Sequence, residues 1–230
     1  MLNLDTIEKE ALMLSLRVAF WSVTICLPVA LATAWLLARQ KFFGKLLFDA
    51  LVHLPLVVPP VVVGYILLVS FGRNGFVGSF LFENFGISLA FSWRGAAFAA
   101  GVMSFPLMVR AIRLSLESVD SGLEEAAKTL GASNVWVFIT ITLPLILPGI
   151  ITGIVLAFAR SLGEFGATIT FVSNIPGETR TIPIALYTLI QTPEGEVGAI
   201  RLVIIAVLLA LGALVISELL ARRMRRRERL

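Results

Sequence analysis

The chain is poor in cysteine and histidine, the two side chains most often used as nucleophile, base or metal ligand. Its 230 residues include one cysteine, Cys26, and one histidine, His53. A single cysteine excludes an internal disulfide, and a lone imidazole among apolar neighbours suits packing better than chemistry. No cluster of His, Cys and carboxylates has metal-ligand spacing, and no G-x-x-x-x-G-K-[ST] phosphate loop occurs. The reading is therefore no enzyme, no catalytic residue, no metal, no cofactor and no ATP bound by such a loop. Charge is scarce as well: 15% of residues are charged, against about 25% in a soluble domain. In its place is apolar surface, 58% of the chain, with mean hydropathy +0.94. An ordinary soluble domain is excluded, and a membrane protein is implied.

The net charge of +4 invites a nucleic-acid reading until it is located. Arg222, Arg223, Arg225, Arg226, Arg227 and Arg229 crowd the carboxyl end, just after an apolar run. Such a tail acts as a cytoplasmic anchor, and no nucleic-acid partner follows from it. The amino end, MLNLDTIEKE, is net acidic and no small-residue cleavage site follows its apolar stretch, so that stretch is expected to be retained.

Spanning the hydrocarbon core takes about 20 apolar residues. Five stretches approach this, giving expected crossings at about 12–38, 52–71, 92–110, 138–160 and 198–218 of a single transmembrane domain, 1–230. Basic residues set the orientation. Arg39, Lys41 and Lys45 follow the first crossing, Arg110, Arg113 and Lys128 follow the third, and the arginine tail follows the fifth. All three groups fall on one side, which is the cytoplasm. The fold class is an all-α membrane protein of five crossings, amino end outside and carboxyl end inside, multi-pass in a plasma membrane. Phe165 to Ile190 is half apolar but carries Pro176, Gly177, Glu178, Arg180 and Pro183. Irregular backbone at membrane depth survives only against protein or a watery cavity. An outer loop with re-entrant pieces is expected there.

Pro55, Pro59, Pro60, Pro144 and Pro148 should break or bend helices near the cytoplasmic side, and Gly64, Gly149 and Gly153 should let helices approach closely. Such a bend serves either a gate or the shape of the bundle.

Between the third and fourth crossings lies LEEAAKTLGA, a polar interruption. Ser121 and Glu124 have capping-box spacing, and Gly131 is placed to close the helix in a left-handed conformation. Leu123, Ala126, Ala127 and Leu130 recur at helical spacing, while Glu125 and Lys128 fall on the other face. A helix over about 121–131 is expected, roughly 15 Å long, too short to cross and too polar to insert. It either presents a face to a partner or merely joins two crossings.

At this point the residues resemble a known family. Glu125-Ala126-Ala127, Gly131 and Ile141-x-Leu143-Pro144 reproduce E-A-A-x3-G-x9-I-x-L-P, the EAA motif of bacterial ABC importer permeases. The resemblance implies the type I importer permease fold, with Glu125, Ala126, Ala127, Leu130 and Gly131 on a coupling helix seated in a cytoplasmic ATPase. Three stretches look like those of molybdate ABC transporter permeases: HLPLVVPPVVVGY, FSWRGAAFAAGVMSFPLMVRAIR, and the run from Ser161 to Pro193. The likeness covers nearly the whole chain and is weakest at its ends. It implies a homodimer in the bacterial inner membrane, two copies of a separate ATPase, and an extracytoplasmic molybdate-binding protein. The cargo would be molybdate and also tungstate, with a sulfate or thiosulfate permease as the alternative.

Residue chemistry adds one pathway hypothesis. Arg160 and Glu164, four apart at the outer end of the fourth crossing, are ionisable groups near the membrane interior. With the hydroxyls of Ser161, Thr168 and Thr170 they either pass an oxyanion or simply pair and position the loop. An intramembrane serine hydrolase fails for want of a placed base. A passive anion channel would leave the polar helix without a purpose.

Overall fold

The computed structural model describes residues 5–227, all helix and connecting loop, with no strand among them. Arg229 of the basic tail lies outside the described residues. The long helices are α1 (Thr6–Arg39), α5 (Trp93–Glu117), α8 (Leu143–Leu162) and α11 (Glu196–Arg227). Shorter ones are α2 (Lys45–Val57), α3 (Pro60–Phe71), α4 (Phe76–Phe85), α6 (Ser121–Thr129), α7 (Asn134–Val137), α9 (Gly166–Val172) and α10 (Ile182–Ile190). A π-helical turn, Phe138–Thr142, joins α7 to α8. Four spans are long and apolar enough to cross a membrane, and α2 with α3 would make a fifth.

The second expected crossing is not a straight helix. α2 and α3 meet at 108°, because Pro59 and Pro60 remove two backbone donors in succession and cannot continue a helix. The third runs past its expected end at Arg110. Nothing between Arg110 and Ser118 breaks a helix, and Ile112 and Leu116 extend the buried face of Met108 and Val109. Arg113 is therefore on the helix rather than in a loop. α1 also begins earlier than expected, where Glu8 Oε2 accepts the Asp5 N–H at 2.9 Å.

α5 is the central element. Gly95, Ala96, Ala97, Ala99, Ala100 and Gly101 are all buried along it, and such small side chains let α1 and α9 pack near its backbone. Cys26 Sγ lies against Gly101, so the lone thiol is a packing group. One apolar cluster joins α1, α3, α5 and α9, and a second joins α1, α5 and α8. Near the carboxyl end of α8, Ser161 Oγ donates to Ser104 Oγ at 3.3 Å and lies 2.9 Å from Ser22 Oγ, tying α8 to the middle of α5 and α1.

The expected outer loop folds back into the molecule. α9 buries Ala167, Thr168, Phe171 and Val172, and a Cβ on Gly64 of α3 would come within 2.6 Å of the Ala167 carbonyl oxygen. α10 starts where Ile182 N–H donates to Ser15 Oγ of α1 at 2.7 Å. Two ionic contacts, Arg201 Nε to Glu8 Oε1 at 2.9 Å and Arg201 Nη2 to Asp5 Oδ2 at 3.1 Å, fasten α11 to α1 at the same end. At the opposite end Arg113 Nη1 donates to Asp49 Oδ2 at 2.9 Å, joining α5 to α2.

Gly149 shows how closely α8 and α5 approach, since a Cβ there would collide with Ser115. Gly149→Val should therefore destabilise the protein by about 1–3 kcal/mol through overpacking. Gly163→Ala, where a Cβ meets open space, should be neutral. Thermal melting of the two variants in detergent checks the contrast.

Candidate functional site

α6 is the one polar helix between long apolar spans, and none of its residues is buried. Its start differs from the expected capping box. The cap is Asp120, whose carboxylate accepts the Gly122 N–H at 2.8 Å. Ser121 does not cap, and Glu124 is drawn elsewhere: its Oε1 accepts Arg39 Nη2 at 3.0 Å and Thr142 Oγ1 at 2.7 Å. A guanidinium and a hydroxyl offer a carboxylate more than the backbone N–H it would reach in a box. The end matches expectation. Gly131 has φ +87°, and Gly131 and Ala132 N–H close onto the Lys128 and Ala127 carbonyls at 3.0 and 3.1 Å. The left-handed turn favours glycine here on backbone grounds alone, because a Cβ would touch nothing.

The apolar stripe faces outward. Leu123 is 51% exposed and Leu130 89%, Ala126 is exposed, and Ala127 is half-buried. Glu125 is exposed too. A helix that held two crossings together would turn such a stripe inward, and this one does not.

At the other end of α8 the predicted pathway residues are gathered, but with their polar groups engaged internally. Glu164 is 1% exposed and Arg160 29%. Glu164 Oε1 accepts the Ala167 N–H at 2.8 Å, satisfying a donor in the first turn of α9. Arg160 Nη1 lies 2.6 Å from Oε2, held there by charge, since no donor hydrogen is directed at that oxygen. Thr168 Oγ1 donates to the Glu164 and Phe165 carbonyls at 3.2 and 2.9 Å, and Thr170 Oγ1 to the Gly166 carbonyl at 2.8 Å. Ser161 belongs to the interhelical serine cluster. Arg160 and Thr170 stay half-buried, and of the two only Arg160 has no hydrogen bond committing its side-chain N–H groups.

Sequence reasoning missed the interior role of Glu124, which stands beside the motif glutamate. The signal was weak, since its partners lie 85 and 18 positions away along the chain.

A bundle of helices long and apolar enough to span a membrane, with a capped, outward-facing polar helix between two of them, defines an integral membrane protein. Residues 27–226 match the family described as binding-protein-dependent transport system inner membrane component, and the chain belongs to that family. It is 67% identical over 220 residues to the molybdenum transport system permease protein ModB of Escherichia coli K12, covering 96% of each chain. To the ModB of Haemophilus influenzae it is 59% identical with the same coverage. Its fold superposes with TM-score 0.75 on a chain of a bacterial ABC transporter involved in the import of alginate, at 19% identity, covering 95% of this chain and 80% of that one. The fold is that of the type I ABC importer permeases.

Arg160→Gln should cost about 3 kcal/mol, because it strands a buried carboxylate. Arg160→Gln combined with Glu164→Gln should recover most of that loss. Melting temperatures of the single and double variants in detergent measure the difference.

Proposed function

We propose that the chain is the inner-membrane permease of an ATP-driven importer that carries molybdate into the cytoplasm. Tungstate, a tetrahedral oxyanion of the same charge, is the expected second cargo. The observation that carries the transport reading is α6, which presents an unpartnered apolar stripe and the E-A-A-x3-G pattern on the cytoplasmic face. A short capped helix with one small-residue side suits insertion into a groove. Glu125, Ala126, Ala127, Leu130 and Gly131 would form the seat for a separate ATPase subunit, and hydrolysis belongs to that subunit. The choice of cargo rests on the likeness to the two molybdenum permeases.

In the working assembly two copies of this chain, each a single transmembrane domain over 1–230, would carry two ATPases and receive cargo from an extracytoplasmic binding protein. Within the pathway Arg160 is the group assigned to the passing oxyanion. Ser161, Glu164, Thr168 and Thr170 form the framework that holds it at the outer end of α8. A folded Arg160→Gln/Glu164→Gln double variant should therefore take up molybdate more slowly. Unchanged uptake would leave the pair a purely structural role.

The decisive experiment purifies the chain with its ATPase and binding protein and follows ATP hydrolysis with molybdate, tungstate and sulfate. Molybdate and tungstate should stimulate and sulfate should not. A sulfate response would favour a sulfate permease, and uptake without any ATPase would favour a channel. Gly131→Val forces a β-branched residue into the left-handed turn. It should leave membrane insertion intact while reducing both ATPase copurification and uptake by roughly tenfold, a loss of about 1.4 kcal/mol.

A further inference from the structure

Two side-chain hydrogen bonds leave α6 for other parts of the fold among the described residues, and both end on one atom, Glu124 Oε1. Their donors belong to different spans. Arg39 is the last residue of α1, and Thr142 ends the π-helical turn that leads into α8. α6 buries no residue against the bundle. A cavity of about 490 Å³ lies between it and the neighbouring elements, lined by Arg39, Glu124 and Thr142 of the tie together with Trp35, Val137 and Phe138. The helix therefore rests on a polar tie rather than on apolar packing.

That arrangement has a mechanical consequence. A helix displaced by its docking partner moves the spans only through groups that hold position under load. Loose apolar contact around a cavity transmits little. A carboxylate shared between a guanidinium and a hydroxyl is short, directional and charge-assisted, and its side chain is largely shielded from water. One of its donors sits in a π-helical turn, where Leu143 N–H bonds to the Phe138 carbonyl. Pro144, immediately after, lacks the N–H that an α-helical turn would use there. Such widened turns are local departures from α-helical register and recur at functional sites.

We infer that Glu124, through Arg39 and Thr142, is the positioning residue that couples movement of the docking helix to α1 and α8. The docking face and the coupling residue are then neighbours in sequence with opposite directions: Glu125 is exposed on α6 and Glu124 is turned into the fold. The inference rests on the docking role of α6, and it assigns to that helix the route by which its motion leaves it.

The test uses the full complex of permease, ATPase and binding protein in proteoliposomes, with molybdate as cargo. Glu124→Gln should retain the ATPase on copurification. Molybdate imported per ATP hydrolysed should fall by roughly fivefold or more, the range of ordinary intersite coupling. Thr142→Val, which spares the ion pair, should give a smaller loss. Exchange of the charges, Arg39→Glu with Glu124→Arg, should restore much of the ratio. A merely structural role would lower the amount of complex and leave the ratio unchanged, and that result would overturn the inference. Loss of the ATPase from Glu124→Gln would also overturn it, making Glu124 part of the docking surface. Failure of the docking role itself reads differently, as ATPase retention that is indifferent to Gly131→Val.

Discussion

In hydrocarbon a backbone N–H or C=O without a partner costs several kcal/mol, about as much as a strong tertiary contact contributes. Most irregular features of this molecule are answers to that constraint. The chain bends 108° at Pro59 and Pro60. The folded-back outer segment finds partners from other elements: Glu164 receives the Ala167 N–H, and Ser15 of α1 receives that of Ile182. The turn before Pro144 widens and closes on the Phe138 carbonyl. These polar side chains complete the backbone bonding of α9 and α10, and for that reason they are buried.

The same constraint explains the distribution of charge. Among the described residues the ion pairs other than Arg160–Glu164 gather toward the two ends of the bundle. One set joins α1 to α11 through Glu8 and Arg201, and another joins α1 to α6 through Arg39 and Glu124. Between them the spans are held by small residues on α5 and by a cluster of three serines. Helices in lipid gain little from hiding apolar surface, so close packing and interhelical hydrogen bonds supply the association. The ends carry orientation and partners, and the middle carries shape.

α6 departs from this pattern, and under the proposed docking role its partner is a separate subunit. Its caps are local, its apolar stripe is outside, and its ties to the fold converge on one carboxylate oxygen. A helix so lightly attached can follow a docking partner. The tie attaches it to the end of α1 and to the turn that leads into α8.

The apolar spans and the short polar helix α6 were legible from residue order, because apolar run length and capping chemistry are properties of neighbouring residues. The left-handed turn at Gly131 was legible for the same reason. Glu124 was misread as half of a capping box, because the stronger claims on its carboxylate come from residues 85 and 18 positions away. Likewise the sequence offered the hydroxyls of Ser161 and Thr168 without their partners, and the fold shows both protons donated within the protein. Which chemical groups the protein carries the sequence determined by itself. Which of them remain free to meet a partner or a passing anion only the tertiary structure decided, since a polar group's availability depends on every neighbour that folding brings within hydrogen-bond reach.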